Sequence, residues 1–150
     1  MIAFAAAAAS GLAGLIRRAN GAHRWSTGWA RSGTLFWLSS LLLSLWAMET
    51  SWNGLYLAEP RWRLGVQFGV VALLLQSAIL FIHSTPLASA VNIVFVGALG
   101  LALLTTETVL HPSAPIAASS WGIVRLFFLA LLAITSLAAW QLAGLLRPRW

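Results

Sequence analysis

The stretch that decides the fold runs from Leu64 to Ile82, LGVQFGVVALLLQSAILFI, and holds 19 residues without a charge. After the short segment 83–86 (HSTP), Leu87 to Thr106 adds 20 more uncharged residues. A transmembrane helix needs about 20 mainly apolar residues, which span ~30 Å at 1.5 Å per residue. The two stretches therefore predict a pair of membrane-spanning helices joined by a tight turn, in which Thr85 is the N-cap and Pro86 the first helical residue.

The composition of the whole chain agrees with a membrane protein. Apolar residues make up 60% of the 150 residues and charged residues only 8%, whereas a soluble domain carries about 25% charged residues. Its main partner is therefore predicted to be the lipid bilayer. The net charge of +6 comes from arginines scattered at segment ends, and since they form no basic face, nucleic acid is not predicted as a partner. The absence of cysteine excludes disulfides and thiol chemistry.

Three more apolar stretches complete the predicted architecture. The chain is predicted to be a single transmembrane helical domain over residues 1–150, an all-α polytopic bundle without repeats or linkers. Five transmembrane helices are predicted, at approximately 1–16, 34–57, 64–83, 86–106 and 120–146. Four is the alternative, because the first stretch would span only about 24 Å.

Arginine placement predicts the orientation of this bundle. With the N-terminus outside, six arginines lie inside (Arg17, Arg18, Arg24, Arg31, Arg147 and Arg149) and three outside (Arg61, Arg63 and Arg125). The positive-inside rule then favours an outside N-terminus and a cytoplasmic C-terminus, in a bacterial inner membrane. Nothing basic precedes the first stretch, so an uncleaved helix is expected rather than a signal peptide. The chain is also Trp-rich, and most of its nine tryptophans suit the two membrane interfaces.

Polar residues near the outer end of the second helix form the first candidate site. Glu49, Asn53 and Tyr56 follow a 4-3 spacing and would share one helix face. Arg125, near the start of the last helix, is expected at a similar depth. Charged groups inside a membrane are costly and usually functional or paired. A Glu49–Arg125 ion pair is therefore predicted, with proton or ion coupling and an unpaired, snorkelling Arg125 as the alternatives.

Small residues on several predicted helices indicate close packing. Such residues let membrane helices approach each other, and serine hydroxyls can bond across the contact. They occur on the first helix (Ala3, Ala7, Gly11 and Gly14), the second (Ser40, Ser44 and Ala47) and the fourth (Ala90, Gly97 and Gly100). At least one of these stripes is expected to face another polypeptide.

Histidines are the only candidate cofactor ligands. His23 is placed in a basic loop and His83 at the inner end of the third helix, with Gln76 and Asn92 at a similar depth. His111, in the outer loop, is too distant in the predicted topology to share a site with His83. Histidines at the membrane boundary are the favoured interpretation, so no cofactor is predicted. A haem b or metal ligated by His23 and His83 is the alternative.

Function is predicted only as a class. The absence of soluble domains and the small-residue faces favour a non-catalytic accessory or assembly subunit of a larger respiratory, photosynthetic or transport complex, with other membrane subunits as partners. The first alternative is a small transporter or channel component that uses Glu49 and Arg125. The second is a haem- or metal-binding electron carrier that uses His23 and His83. No catalytic motif and no metal-ligand spacing occur in the sequence.

Overall fold

The computed structural model describes residues 1–106 and 121–149, with only the backbone described at residues 51 and 52. These residues form an all-helical bundle and contain no strand. Five helices follow one another along the chain: α1 (Ile2–Arg17), α2 (Asn20–Trp52), α3 (Pro60–Ile82), α4 (Thr85–Thr105) and α5 (Gly122–Leu145). Residue 120, the predicted start of the last helix, lies outside the described residues.

Three of the five helices are long and apolar enough to cross a membrane, namely α3, α4 and α5. The helix α1 is apolar but has only 16 residues. The helix α2 has 33 residues, about 50 Å at 1.5 Å per residue, but its polar residues keep it out of this group. The structure therefore supports a membrane-type helical bundle with three clear candidate spans.

The predicted start of the second helix is wrong by 14 residues, because α2 begins at Asn20 rather than at residue 34. The prediction assigned the segment with His23, Arg24 and Arg31 to a loop, since polar and charged side chains are costly in lipid. No proline interrupts this segment, and its polar side chains are covered by other helices instead of lipid. His23, Ser26 and Ser32 are each at most 3% exposed.

The other end of α2 and the turn before α4 also differ from prediction. The second helix ends at Trp52 and not at residue 57, because Asn53 takes a left-handed conformation with φ 55°, which asparagine tolerates better than most residues. Ser84, not Thr85, is the N-cap of α4, so Pro86 lies one position further into the helix. The first turn of a helix accepts proline because its N–H groups have no intrahelical partner.

The helix α2 lies at the centre of the bundle and contacts each of the other four helices. The helix α1 runs antiparallel to it, with Phe4 against Gly33 and Gly14 against His23. The helices α3 and α4 lie beside α1 and α2 and share an apolar core with them, in which Phe4 and Phe95 meet edge to face at 5.2 Å. Among the described residues, α5 closely approaches only α2 and α1.

The contact between α2 and α5 depends on small residues and backbone groups. At Gly28, an added side chain would collide with the carbonyl oxygen of Ala143. One turn along, Ser32 Oγ donates a hydrogen bond to Ala139 O at 3.0 Å. Arg31 donates from Nη1 to Leu146 O at 3.1 Å, which places a cation at the negative end of α5. The last third of α5 is thereby fixed to α2.

Gly28→Ala should therefore destabilise the isolated protein by about 1–3 kcal/mol, the usual cost of forcing extra atoms into a packed site. Gly97→Ala is the matched control, since a side chain at Gly97 would meet nothing within 4 Å. Replacing a helical glycine by alanine in open space should stabilise by up to about 1 kcal/mol. Far-UV circular dichroism during unfolding by SDS measures both changes, and equal effects of the two variants would contradict the described α2–α5 contact.

Candidate functional site

A cluster of buried polar side chains lies where α1, α2, α3 and α4 meet. His23, in the first turns of α2, is 3% exposed, and its Nδ1 lies 2.7 Å from the hydroxyl oxygen of Ser89 on α4. The imidazole lies against Gly14 of α1, where an added Cβ would be 2.7 Å from Nδ1. Glycine is therefore required at position 14 for α1 to approach His23 this closely.

Ser26 and Asn92 extend this cluster one turn further into the bundle. Ser26 Oγ donates to the carbonyl oxygen of Ala7 at 2.8 Å. Asn92 Nδ2 donates to Ser26 Oγ at 3.1 Å and to Ser26 O at 3.3 Å. Gln76 Nε2 then donates to Asn92 Oδ1 at 3.3 Å. Hydrogen bonds thus join α1 to α2, α2 to α4 and α4 to α3. The polar side chains that form these bonds could not be solvated by lipid.

The chemistry of this polar cluster favours bonding between helices over catalysis. A hydroxyl beside an imidazole is the pairing of a nucleophile and its base, but Ser89 is fully buried. The space beside Asn92 and Gln76 leaves no room for a water molecule. Gln76 Oε1 is buried without a hydrogen-bond partner among the described residues. Its hydrogen-bonding capacity is therefore the part of the polar cluster that is left unsatisfied.

The structure brings together only part of the predicted histidine site. Gln76 and Asn92 lie in the polar cluster that contains His23. His83 is exposed at the end of α3, where its Nδ1 contacts the backbone oxygen of Phe81 at 3.0 Å. The two histidines therefore have different partners and different environments. Within the described residues, no three His, Cys, Asp or Glu side chains are grouped to hold a metal ion, and His111 lies outside these residues.

The residues of the predicted outer polar site lie at the surface of the bundle. Glu49 is exposed on α2, and Arg125 is exposed near the start of α5. Asn53 ends α2, and Tyr56 is exposed in the following connection. The expected 4-3 spacing on one helix face is lost because the helix ends before Tyr56.

The predicted packing residues divide into two groups. Ser44 is partly buried, and its Oγ accepts a hydrogen bond from Trp62 Nε1 at 3.1 Å. Ser40 and Ala47 are exposed, and an added side chain at Gly97 or Gly100 would meet no atom within 4 Å. The small stripe of the first helix, in contrast, is buried inside the chain (Ala3, Ala7, Gly11 and Gly14).

Two residues of the polar cluster were missed from the sequence. Ser26 and Ser89 were not singled out, since serine near a helix end usually faces water or lipid headgroups. The available signal was the spacing of His23, Ser26 and Ala30, which repeats at three and four residues and indicates one continuous helix face.

A second feature is an open cleft between α1, α2 and α5. Its volume is about 400 Å³, and we call it the α2–α5 cleft. Trp37 and Ser40 line it from α2, and Thr135 and Ser136 from α5. Both α5 hydroxyls donate to carbonyl groups of their own helix, so the cleft presents small, internally bonded polar groups together with apolar surface.

Asn92→Leu should destabilise the protein by about 0.6–2 kcal/mol, because the side-chain amide of Gln76 and the hydroxyl and carbonyl oxygens of Ser26 lose their hydrogen-bond partner inside the bundle. Thr135→Val serves as the control, since the Thr135 hydroxyl bonds only to carbonyls of its own helix at an exposed position. Unfolding in SDS, followed by circular dichroism, measures the difference. A loss for Asn92→Leu no larger than that for Thr135→Val would mean that the polar cluster does not hold the helices together.

Comparison with known proteins adds no relative to this description. The chain matches no protein-family model, no curated protein and no solved structure.

Proposed function

We propose that this chain is a non-catalytic accessory or assembly subunit of a larger membrane protein complex. The complex would be respiratory, photosynthetic or transport-related, and the chain would contribute helices that hold other subunits in place. The observation that carries the proposal is the incomplete packing of α5 and the α2–α5 cleft beside it.

The helix α5 contributes few residues to the interior of the bundle. Ala139 and Ala143 are its only residues in the buried class among those described. The first half of the helix is exposed, including Phe127 and Leu129, each 62% exposed. The α2–α5 cleft opens between α2 and the middle of α5, from Leu132 to Ala139, and the exposed Ser40 lies on its wall.

A transmembrane helix of another subunit suits this cleft. In a bilayer, lipid is as apolar as leucine, so helices associate through close packing and hydrogen bonds rather than through hydrophobic force. Small and hydroxyl-bearing residues such as Ser40, Thr135 and Ser136 allow that close approach. The open positions Gly97 and Gly100 on α4 provide a second face with the same property.

The two alternative functions have less support. Transport through a Glu49–Arg125 site would need a polar path inside the bundle, and Glu49 is exposed. A haem or metal held by His23 and His83 would need both imidazoles at one site, and they contact Ser89 and Phe81 respectively.

The proposal includes a topology for the chain. All five helices cross the bacterial inner membrane, with the N-terminus outside and the C-terminus in the cytoplasm. The helix α2 would cross with its polar first half covered by α1, α4 and α5, and its length of about 50 Å exceeds the ~30 Å hydrocarbon core. The arginine asymmetry supports this orientation.

A photo-crosslinking amino acid at Ser40 or Thr135 should form adducts with one polypeptide of defined mass in native membranes, because both residues line the proposed contact. The control position is Leu74 on α3, which is 66% exposed and should crosslink to lipid alone. Mass spectrometry of the adducts measures the result.

A filling variant makes this experiment sharper. Ser40→Trp should release the chain from its native complex on a native gel while leaving the stability of the isolated chain unchanged, because it occupies the empty cleft. Leu74→Trp should neither release the chain from its native complex nor change the stability of the isolated chain. Lipid adducts alone at Ser40 and Thr135, together with an unaltered native mass for Ser40→Trp, would contradict the accessory-subunit proposal.

The proposed topology has a test that uses the absence of cysteine. Asn20→Cys precedes the proposed crossing of α2 and Ala58→Cys follows it, and both positions are exposed. A membrane-impermeant maleimide added to intact spheroplasts should label Ala58→Cys only, and should label Asn20→Cys after the membrane is disrupted. Labelling of both variants in intact spheroplasts would exclude a crossing by α2, and the opposite pattern would invert the orientation.

A further inference from the structure

One face of α5 points away from the rest of the described bundle. Ala139 and Ala143 face α2, and Gln141 is two residues from each of them. Because each residue turns a helix by about 100°, a step of two residues leads to the opposite side. Five exposed residues lie on that side at a 3-4-3-4 spacing, and we call them the α5 outer face: Phe127, Ala130, Ile134, Leu137 and Gln141.

Gln141 is the only side-chain amide in α5. It is exposed and forms no side-chain hydrogen bond with any described residue. The helix is long and apolar enough to cross a membrane, and Gln141 lies about 6 Å before its end at Leu145. Lipid tails cannot bond to an amide, so a polar partner within the membrane would stabilise this side chain.

We propose that two copies of this chain associate in the membrane through the α5 outer face, with the Gln141 amides of the two copies bonded to each other. A side-chain amide carries both donors and an acceptor, so two identical amides can satisfy each other. Two copies with the same orientation, related by a twofold axis along the membrane normal, place equal residues at equal depth. Gln141 therefore meets its own counterpart, whereas any other partner would need a polar side chain at this same depth.

The spacing of the α5 outer face suits a pair of parallel helices. Apolar residues that repeat every 3.5 positions form the seam of a left-handed helix pair, and one polar residue in the seam fixes the register and the number of helices. Ala130 allows close approach of the two backbones. Ile134 and Leu137, which are 66% and 52% exposed, provide the apolar contacts beside Gln141.

This contact goes beyond the accessory-subunit function and does not depend on it. Ala139, which lines the α2–α5 cleft, is on the side of α5 opposite to Gln141. Association through the α5 outer face therefore leaves the cleft open to a different subunit.

Cysteine crosslinking tests the contact, since the chain has no cysteine of its own. In native membranes treated with an oxidant, Ile134→Cys should form a disulfide-linked species of twice the chain mass. The matched control is Thr135→Cys, because Thr135 is also exposed but is turned by about 100° from Ile134 and lines the α2–α5 cleft. This control should form no such species.

A second experiment measures the contribution of the Gln141 amide. Förster transfer between copies labelled at Asn20→Cys, in phosphatidylcholine vesicles at several protein-to-lipid ratios, gives the dissociation constant of the dimer. Gln141→Leu should raise this constant about three- to thirtyfold, the effect of losing one interhelical hydrogen bond. Gln67→Leu makes the same change at an exposed amide on α3 and should raise it by less than about twofold.

Several results would overturn the proposal. Equal yields of the disulfide-linked species from Ile134→Cys and Thr135→Cys would do so, as would equal weakening by Gln141→Leu and Gln67→Leu. Absence of transfer at every protein-to-lipid ratio would show that the chain does not self-associate. An adduct of Ile134→Cys with a polypeptide of different mass would assign the α5 outer face to another subunit, and no adduct at all would assign it to lipid.

Discussion

The polar first half of α2 is the constraint on which the rest of the structure depends. This segment carries His23, Ser26 and Ser32, whose polar groups would be costly in lipid without partners. The helix α1 covers them on one side, and it approaches closely because Gly11 and Gly14 lack side chains. The helices α4 and α5 supply partners on the other sides, at Ser89 and at the carbonyl of Ala139. The arrangement of the helices follows from the need to satisfy this one segment.

The same constraint explains why the two ends of the bundle differ. Near the start of α2, hydrogen bonds and small residues fix α1, α4 and the end of α5 in place. Towards the other end, α2 carries the exposed residues Ser40, Ala47 and Glu49, and most described side chains in the first half of α5 are exposed. The α2–α5 cleft and the exposed half of α5 result from this difference, and they are the surfaces on which the accessory-subunit proposal depends.

Much of the fold could be predicted from the sequence because apolar length is a local property. The helices α3 and α4 follow from uncharged runs of 19 and 20 residues, and their structural bounds lie close to those runs. The start of α2 could not be predicted in this way. A segment with His23, Arg24 and Arg31 is too polar to face lipid, and whether a helix forms there depends on cover from helices distant in sequence. The candidate sites were less predictable for the same reason: Glu49 and Arg125, the predicted intramembrane pair, are both exposed, whereas Ser26 and Ser89 are buried and gave no strong signal.

The sequence by itself determined the class of the protein, its apolar helices and the positions of its arginines. These depend on composition and on distances along the chain, which need no knowledge of neighbours. Only the tertiary structure decided which polar groups are buried, since burial depends on what packs against each helix face. It placed Asn92 between Ser26 and Gln76, left Gly97 open, and joined Arg24 and Arg147 in one pocket. Those residues are 123 positions apart in the chain, and only the packing of α5 on α2 brings them together.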